Sequence, residues 1–421
     1  MDIKDKLRQI ESIQLRRDIS LTPPPSPTPS SPTHNILGGE IKESPSGSFF
    51  FCEQEFSLDY KHGILPLDAL LEKPSALLPL VAKNAQIGEI DLKRILFVDT
   101  ETSGISGGTG TFAFLIGIGY FDNACFRVAQ YFMNDLNEEH PLLFELNQFM
   151  NEFRLVVSYN GKSFDVPVLA SRNIYHRIES PLTQLHHLDL LHAVRRHWKN
   201  RLPDCSLNTA EQYLLQVVRT GDVPGYLIPH LYFSFLQYRN VEALKPVFYH
   251  NQQDVLSMAG LLTKVMQVFE DPLSECRAVH DVLAVGKVYE SLNQYENALS
   301  IYEDFLENSP FPASDKRELL FQMGFNHKKL ENWRHAAEVW HDCMTSEAFH
   351  PVPYIELAKH YEHRKNDFVA AKKLVEKGLK EIEVLEALES NDKWSQYKDD
   401  LEYRKQRLTS KIQKFGTDNL I

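Results

Sequence analysis

Two acidic residues at the end of an apolar run could together bind a metal ion. Asp99 and Glu101 follow residues 95–98, a run with the length and composition of a buried strand. Side chains two residues apart on a strand point to the same face, so both carboxylates lie together at its carboxyl end. Hard divalent cations such as Mg²⁺ take oxygen ligands of this kind. An isolated pair is more often two solvated acids, so its interpretation depends on residues farther along the chain.

Three more acidic residues stand at the ends of predicted elements. Asp165 follows a predicted strand at the start of a helix, and Asp254 lies on the last helix of the same region. His250 precedes Asp254 by four residues and therefore shares its helical face. A histidine beside a carboxylate suits a site where one group holds a cation and the other handles a proton. Asp189 could assist such a site, but its position favours an N-cap of the helix that follows it.

Strand-like and helical patterns alternate around these residues. Apolar runs of strand length, separated by Gly, Asp and Asn, cover residues 95–99, 111–121, 125–133 and 155–159, and a shorter stretch covers 188–191. Helical patterns follow the third and later runs, and the last covers roughly 241–265. Three strands followed by alternating helices and strands is the order of a ribonuclease H-like α/β domain, a mixed sheet with flanking helices.

Composition divides the chain into three parts. Residues 1–47 include a tract of Pro, Ser and Thr at 21–33 that cannot build a core, so we expect an N-terminal segment and a disordered linker. Order is expected to begin near Ser48, and residues 48–270 form the α/β domain. Residues 275–415 are helical in pattern throughout and form a separate all-α domain.

The helical part carries a weak internal repeat. A small residue in one helix and a bulky residue in the next recur at steps of 38 and then 34 or 35 residues. The small positions are Gly286, Gly324 and Ala358, and the bulky positions are Tyr302, Trp340 and Val375. This pattern resembles the tetratricopeptide repeat, in which stacked helix pairs bury such positions, and a generic helical bundle is the alternative. The resemblance implies a surface for a protein partner.

Charge and cysteine content limit the class of protein. The formal net charge is −12 and the pI is about 5.8, so no global positive field attracts nucleic acid, although metal ions and a small basic patch could hold a strand end. The five cysteines include no C-x-x-C pair, which argues against a disulfide framework or a zinc site. No apolar run has the length of a membrane span, and no leader segment is recognisable. We therefore expect a cytoplasmic protein that does not contact a membrane.

Three motifs in order resemble those of the DEDD exonucleases, a superfamily that includes proofreading domains, ribonuclease D and oligoribonuclease. They are F-V-D-T-E-T with Asp99 and Glu101, Y-N-G-x-x-F-D with Asp165, and H-N-x-x-D with Asp254. More narrowly, residues 102–111, 222–225 and 228–229 and the adjacent His250 and Asn251 resemble the YprB-type ribonuclease H-like domain. The resemblance covers about residues 90–268, and in that group too a tetratricopeptide-like tail can follow.

The resemblance implies a 3′–5′ exonuclease that hydrolyses phosphodiester bonds of single-stranded DNA or RNA. Two Mg²⁺ or Mn²⁺ ions about 4 Å apart would stabilise the attacking hydroxide and the leaving 3′-oxygen. Asp99 would bridge the ions, and Glu101, Asp165 and Asp254 would complete their coordination. His250 would act as the general base or orient the attacking water.

The last motif departs from the pattern of the superfamily. In its tyrosine subclass a Tyr stands four residues before the last Asp, and in its histidine subclass a His stands five before. Here His250 is four before Asp254 and Tyr249 is five before, so both residue types are present in exchanged positions. We assign the role to His250 because it shares the helical face of Asp254.

Several further residues could contact nucleic acid. The resemblance suggests Asn160, although Asn-Gly is also a common tight turn, and Thr102 and Asn251 lie within matching motifs. Arg195 and Arg196 belong to a dense basic cluster with an embedded Trp, which suits backbone contact and base stacking or equally a solvated helix end. The glycine run at 107–111 lacks the Lys of a phosphate-binding loop and favours a hairpin turn.

Two other functions are compatible with the sequence. A structure-selective endonuclease could use the same acids on the same fold. A non-catalytic scaffold could act through the helical repeats, although the complete set of acids argues against a decayed site. The residues do not discriminate DNA from RNA, because recognition of the 2′-hydroxyl depends on details of the cleft.

Overall fold

The computed structural model describes residues 33–104, 110–308, 313–345, 349–389 and 394–417. The tract at 21–33 and the glycine run at 107–111 lie almost entirely outside these residues. Within them, a mixed sheet with flanking helices is followed by an all-helical part. The predicted fold class, a ribonuclease H-like α/β domain followed by a helical domain, is therefore confirmed.

Seven strands form one mixed sheet, and two short strands pair separately. The strands are β1 (Glu40–Ser44), β2 (Gly47–Ser57), β3 (Lys61–His62), β4 (Leu65–Pro66), β5 (Ile95–Thr102), β6 (Ala113–Phe121), β7 (Cys125–Phe132), β8 (Leu155–Ser158) and β9 (His186–Asp189). The order in the large sheet is β1-β2-β7-β6-β5-β8-β9, and β3 pairs with β4. β5 pairs antiparallel with β6 and parallel with β8, so it lies where the two kinds of pairing meet.

Helices flank the sheet on both faces. They are α1 (Thr33–Leu37), α2 (Leu78–Ala82), α3 (Glu139–Met150), α4 (Asp165–His176), α5 (Leu190–Trp198), α6 (Leu207–Ala210), α7 (Ile228–Tyr238), α8 (Lys245–Glu270) and α9 (Pro272–Glu275). A π-helical turn at Glu211–Leu215 follows α6 directly. α8, with 26 residues, packs along β5 and β6. In the part of the chain that the structure describes, no helix has the length and apolar character needed to cross a membrane.

The central strand β5 is buried on both faces. Ile95 and Phe97 pack into the core that includes α8, whereas Leu96 and Val98 pack into the core beneath α3, α4 and α7. A strand covered on both sides reads as a continuous apolar run rather than as an alternating one. This double burial explains the pattern of residues 95–98 and fixes which face each later side chain of β5 meets.

The sheet begins earlier than the sequence predicts. Order was expected from Ser48, but Glu40–Ser44 pairs antiparallel with Gly47–Ser57 and adds an edge strand, and α1 precedes it. This edge strand is largely polar and exposed along most of its length, with Ile41 as its one large apolar residue. Polar and charged residues are typical of strands at a sheet edge. A strand of this composition has no apolar periodicity by which the sequence could predict it.

The helical part consists of helices that pack against their neighbours in the chain. They are α10 (Val279–Ser291), α11 (Tyr295–Asn308), α12 (Ala313–Lys329), α13 (Trp333–Met344), α14 (Pro351–His363), α15 (Phe368–Glu389) and α16 (Ser395–Thr417). A Cβ on Gly286 would lie 2.1 Å from Tyr302 Oη, and one on Gly324 would lie 2.3 Å from Trp340 Nε1. The small and bulky positions of the sequence repeat are thus contacts between paired helices. Membership of the tetratricopeptide family stays a prediction.

The helical part packs directly on the α/β part. Phe269 near the end of α8 contacts Tyr289 of α10, with ring centroids 6.2 Å apart. Apolar residues of α8, α10 and α11 belong to one continuous buried cluster. A helix therefore ends at the boundary predicted between residues 270 and 275, but the apolar core continues across it.

We predict that Gly324→Ala destabilises the protein, because the new methyl group would collide with the buried Trp340 ring. The expected loss in the free energy of unfolding is about 1–3 kcal/mol. It should appear even though alanine has the higher helix propensity. Urea denaturation measures the effect, and Gly225→Ala is the control, since a Cβ there meets nothing within 4 Å. Equal stabilities of the two variants would contradict the predicted contact.

We predict that the buried His197 makes the fold sensitive to acid. It lies on α5 between the Trp198 and Phe269 rings, and burial lowers its pKa to about 3. The unfolded chain protonates this histidine near pH 6.5, so stability is lost as the pH falls from there. Between pH 7.5 and 5.5 the loss is about 1.4 kcal/mol. In urea denaturation, His197→Leu should lose that much less unfolding free energy than the wild type over this pH range. His192→Leu, which changes an exposed histidine on the same helix, should lose as much as the wild type.

Candidate active site

The strand β5 ends in the two acids that the sequence singles out. Asp99 and Glu101 alternate with Thr100 and therefore share one face of the sheet, the face that α8 covers. The Glu101 side chain is only 12% exposed. The pairing of β5 with β6 shifts register between Glu101 and Thr102. Such β-bulges are common beside functional sites. The two acids are thus held at the centre of the sheet rather than on a free loop.

A row of hydrogen bonds across the sheet orients Asp99. Asn251 on α8 donates to Asp99 Oδ2 at 2.8 Å and accepts a bond from Gln130 Nε2 at the same distance. Gln130 on β7 lies opposite Gly117 on β6, which in turn lies opposite Asp99. A Cβ on Gly117 would stand 2.1 Å from Asn251 Oδ1, so only glycine leaves room for this amide. The helix and three strands together fix one oxygen of the carboxylate.

The burial of Asn251 does not fit the substrate contact predicted for it. Its side chain is 0% exposed, and its amide is bonded to the carboxylate of Asp99 and to Gln130. A side chain without access to solvent cannot touch a nucleic acid in the cleft. Asn251 therefore positions Asp99.

A buried arginine binds Asp254. Arg219 Nη2 donates to Asp254 Oδ1 at 2.5 Å, and Nη1 donates to Asp222 Oδ2 at 3.2 Å. Nε and Nη2 also form a bidentate pair with the carboxylate of Glu211, at 2.6 Å each. The Arg219 side chain is 7% exposed. One guanidinium thus joins three carboxylates beside the end of β5.

The ring of His250 is oriented by a second carboxylate. Its Nδ1 lies 2.8 Å from Asp222 Oδ1, and because a carboxylate only accepts hydrogen bonds, Nδ1 carries the proton and donates. The other nitrogen, Nε2, lies 3.5 Å from Asp254 Oδ2 and 4.0 Å from Glu101 Oε1. Among the described residues, Tyr249 makes no hydrogen bond to these acids. The structure thus places the ring of His250 beside the acids, and its role in proton transfer stays a prediction.

Asp165 approaches the end of β5 from the other face. It is the first residue of α4, and its Oδ1 accepts a hydrogen bond from Thr100 Oγ1 at 2.5 Å. Thr100 points away from the face that carries Asp99 and Glu101. Even so, Asp165 is near both acids: burial raises their pKa most, and the charge of Asp165 adds to the rise.

Burial and mutual repulsion make these carboxylates hard to ionise together. Burial raises the pKa of Asp99 well above its ordinary value, and repulsion from Asp254 and Glu101 adds to the rise. Burial also raises the pKa of Glu101, again with repulsion from Asp254. Burial raises the pKa of Asp165 to about 6, against the opposing hydrogen bond from Thr100. A cation among these groups would lower all three pKa values.

The acids are neighbours, but they do not yet converge on one point. In the described part of the chain, no three Asp, Glu, His or Cys side chains are arranged closely enough to hold a metal ion as they stand. Asp254 is turned toward Arg219, Asp165 toward Thr100, and Asp99 shares an oxygen with an amide. Metal binding would draw the carboxylates away from these hydrogen bonds.

The loop after β8 is fixed by Asp189. This acid caps α5 through the Leu191 N–H and also accepts bonds from the N–H groups of Asn160 and Lys162. The capping role predicted for Asp189 is confirmed. Asn160 has a left-handed backbone with φ of 66°, which suits the tight turn, and its contact with substrate stays a prediction. The hydroxyl of Thr102 is bonded within its own loop, to the Gly104 carbonyl at 2.8 Å.

The two predicted arginines on α5 lie in different surroundings. Arg195 is exposed to solvent. Arg196 is partly buried and donates to the Val81 carbonyl at 3.2 Å, so it joins α5 to α2. Arg195 therefore remains available for a nucleic acid, whereas Arg196 serves the packing of helices.

Sequence reasoning missed Arg219 and Glu211 and found no role for Asp222. These residues lie in the segment between α6 and α7, which has neither a helical nor a strand period. Glu211 is buried in the π-helical turn, a form that is rare and often marks functional sites. The one available signal was the resemblance of residues 222–225 to the YprB-type domain.

Comparisons with known proteins support the fold of the α/β part. A family model of the RNase_H superfamily matches residues 96–266, which span β5 to α8. YprB of Bacillus subtilis (strain 168), an uncharacterized protein, is 29% identical over 348 residues that cover 80% of this chain and 82% of YprB. The match and the order of the strands lead to the same result. The α/β part of this chain has a ribonuclease H-like fold.

Proposed function

We propose that this protein is a metal-dependent nuclease that removes nucleotides from the 3′ end of single-stranded DNA or RNA. The observation that carries the proposal is the group at the end of β5, where His250 Nε2 lies within 4.0 Å of carboxylates from both Glu101 and Asp254. A ribonuclease H-like domain supports nuclease-type activity in general. The 3′–5′ direction rests on the resemblance of the motifs to those of DEDD exonucleases.

The donor set suits a divalent cation. Carboxylate oxygens are the ligands that Mg²⁺ and Mn²⁺ prefer, and ribonuclease H-like nucleases generally use such ions. The raised pKa values of Asp99, Glu101 and Asp165 indicate an excess of negative charge that a cation would relieve. We propose that these three acids and Asp254 hold two Mg²⁺ or Mn²⁺ ions. Bound there, the ions would stabilise charge on the scissile phosphate and acidify a water molecule.

His250 is the residue that accepts the proton of the attacking water. Asp222 fixes the His250 tautomer with the proton on Nδ1, so neutral Nε2 can accept a proton from an attacking water. The same carboxylate stabilises the imidazolium that results. Asn251 meanwhile keeps one oxygen of Asp99 in a fixed direction. These two contacts supply the preorganisation that acid–base chemistry requires.

Other features support binding rather than chemistry. Exposed Arg195 could contact the phosphate backbone of the substrate near the loop after β8. The helical part offers stacked helix pairs, and we propose that it recruits a protein partner. The cysteine pattern supports a cytoplasmic location.

Labelled oligonucleotides test the proposed activity. With Mn²⁺ or Mg²⁺, single strands labelled at the 5′ end should yield a ladder that shortens from the 3′ end, and chelation with EDTA should abolish it. Glu101→Gln should lower the rate at least about 100-fold, because loss of a metal ligand costs several kcal/mol. In EDTA the same variant should melt no lower than the wild type, since glutamine replaces an acid whose ionisation is opposed by burial and by the neighbouring acids.

The matched control is Glu179→Gln, which removes an exposed acid outside the site and should leave the rate unchanged. Cleavage of circular single-stranded DNA would replace the exonuclease proposal with an endonuclease. Absence of hydrolysis with every divalent ion would favour the scaffold that acts through the helical part.

A second prediction concerns Asp222. Asp222→Asn can no longer hold the His250 tautomer as a carboxylate does, so kcat should fall about 10- to 100-fold. KM for an oligonucleotide should change little, because Asp222 is not expected to touch the substrate. The pH dependence of the single-turnover rate should differ between Asp222→Asn and the wild type. An unchanged kcat would show that the charge of Asp222 is not needed for the proton transfer that we assign to His250.

A further inference from the structure

The second half of α16 concentrates positive charge in an acidic chain. Residues 403–414 contain no acid, although the net charge of the whole chain is −12. Their five basic residues are Arg404, Lys405, Arg407, Lys411 and Lys414. Tyr403, Arg407 and Lys411 follow one another at four-residue steps and therefore form a stripe along one face of the helix. This α16 stripe is about 12 Å long, from the rise of an α-helix.

Three cations of this stretch surround one buried acid. The side chain of Glu362, near the end of α14, is 0% exposed, and its Oε2 accepts bonds from Arg404 Nη1 at 3.1 Å and Arg407 Nη2 at 2.6 Å. Its Oε1 accepts a bond from Lys411 Nζ at 2.9 Å. Asp400 also lies 3.8 Å from Arg404 Nη2. Three cations thus face two carboxylates, and one positive charge remains in excess.

The excess charge lies on the side chains that reach solvent. Arg407 and Lys411 are each 34% exposed, whereas Arg404 is 7% exposed. Among the described residues, Nε of Arg404 and Nε of Arg407 are buried without a hydrogen-bond partner, so N–H donors outnumber acceptors in this group. An ammonium has three N–H donors, and the bond from Lys411 to Glu362 uses one. The group therefore retains donors for an anion that supplies further oxygens.

An exposed aromatic ring lies beside these charges. Tyr403 is 64% exposed, and its ring centroid lies 5.9 Å from Arg407 Cζ. An exposed tyrosine also faces an arginine on α4, where Arg172 Cζ lies 4.4 Å from the Tyr175 ring. There the guanidinium binds both oxygens of Glu139, so its charge is balanced. The pair on α16 differs because cations exceed acids around it.

A single-stranded nucleic acid has both properties that the α16 stripe matches. Its phosphates carry negative charge, and its unpaired bases offer flat faces to an aromatic ring. In a duplex those faces are stacked on neighbouring bases, and the acidic side chains of a peptide have none. At about 3.4 Å for each stacked nucleotide, the length of the stripe spans more than one phosphate.

We propose that Tyr403, Arg407 and Lys411 form a binding site for single-stranded nucleic acid on the helical part. The inference rests on the proposed function and gives the substrate a contact besides the acids of the α/β part. Arg407 and Lys411 bind phosphates, and Tyr403 stacks on a base. Because salt screens exposed charges beyond about 8–10 Å, the stripe holds a strand that touches it and does not attract one from afar. This contact requires no divalent ion.

Binding of a labelled oligothymidylate to the full-length protein in EDTA tests this proposal. Fluorescence anisotropy then measures binding by the protein without divalent ions. The wild type should bind the strand, and Tyr403→Ala should weaken binding about tenfold, because the stacking of a base is lost. Tyr403→Phe keeps the ring and should bind as the wild type does. The control is Tyr175→Ala, which removes the exposed tyrosine of α4 and should not change the affinity.

The charged residues give a separate measurement. Arg407→Gln should weaken binding and reduce the slope of log affinity against log salt concentration by about 0.7, the value for one phosphate contact with a single strand. The matched control is Arg334→Gln, which removes an exposed arginine of α13 that is paired with Glu338. Its affinity and salt slope should equal those of the wild type.

Three outcomes would overturn the proposal. They are absence of binding by the wild type in EDTA, equal affinities of Tyr403→Ala and the wild type, and Tyr403-dependent binding of polyglutamate without binding of the oligothymidylate. The last would assign the stripe to an acidic protein. If Tyr403→Ala fails to fold, the salt slope of Arg407→Gln decides.

Cleavage assays on the same preparations separate this inference from the proposed function. Tyr403-dependent binding in EDTA, with no hydrolysis in Mg²⁺ or Mn²⁺, would contradict the proposed function and leave the α16 stripe standing as a binding site. Hydrolysis by the wild type, with binding in EDTA that Tyr403→Ala does not weaken, would contradict the binding site and leave the proposed function standing.

Discussion

Like charges buried together at the end of β5 are the constraint on which the rest of the structure depends. Asp99 and Glu101 are fixed on one face by the strand itself, and Asp254 faces them from α8. Burial strengthens their repulsion, because the protein interior screens charge less than water does. A site of this kind is costly to fold unless the surroundings supply positive charge or hydrogen-bond donors. The hydrogen-bond donors and the cation around β5 offset much of this unfavourable free energy.

The compensation comes from both faces of the sheet and from beyond its edge. An amide from α8 binds Asp99, a threonine hydroxyl of β5 binds Asp165, and the guanidinium of Arg219 binds Asp254. The first two are neutral donors and leave the charge in place. The third removes most of one charge. The electrostatics of the site are therefore uneven, because Asp254 has a cationic partner, whereas Asp99 and Asp165 are bound by neutral donors.

The sequence was most informative where residues two apart on a strand or four apart on a helix must lie on the same face. The D-x-E pair at the end of an apolar run predicted two carboxylates on one face of a buried strand, and the four-residue spacing of His250 and Asp254 predicted a shared helical face. Arg219 could not be found this way. Its partners lie 8 residues before it and 3 and 35 residues after it, across a π-helical turn and an irregular segment. The edge strand β1 was missed for a related reason, because its polar residues carry no apolar period.

The acidity of the whole chain bears on how it would meet a substrate. With a net charge of −12 and a cluster of acids at the site, the protein has no field that draws a polyanion from a distance. Arg219 cannot serve as a phosphate clamp either, since its donors are committed to Glu211, Asp222 and Asp254 and its side chain is buried. Apart from a contact by exposed Arg195, attraction for a phosphate at the site must then come from the divalent ions. Under the proposed function they act as the substrate-binding groups as well as the catalysts, and an enzyme without them should fail to bind the 3′ end as well as fail to cut it.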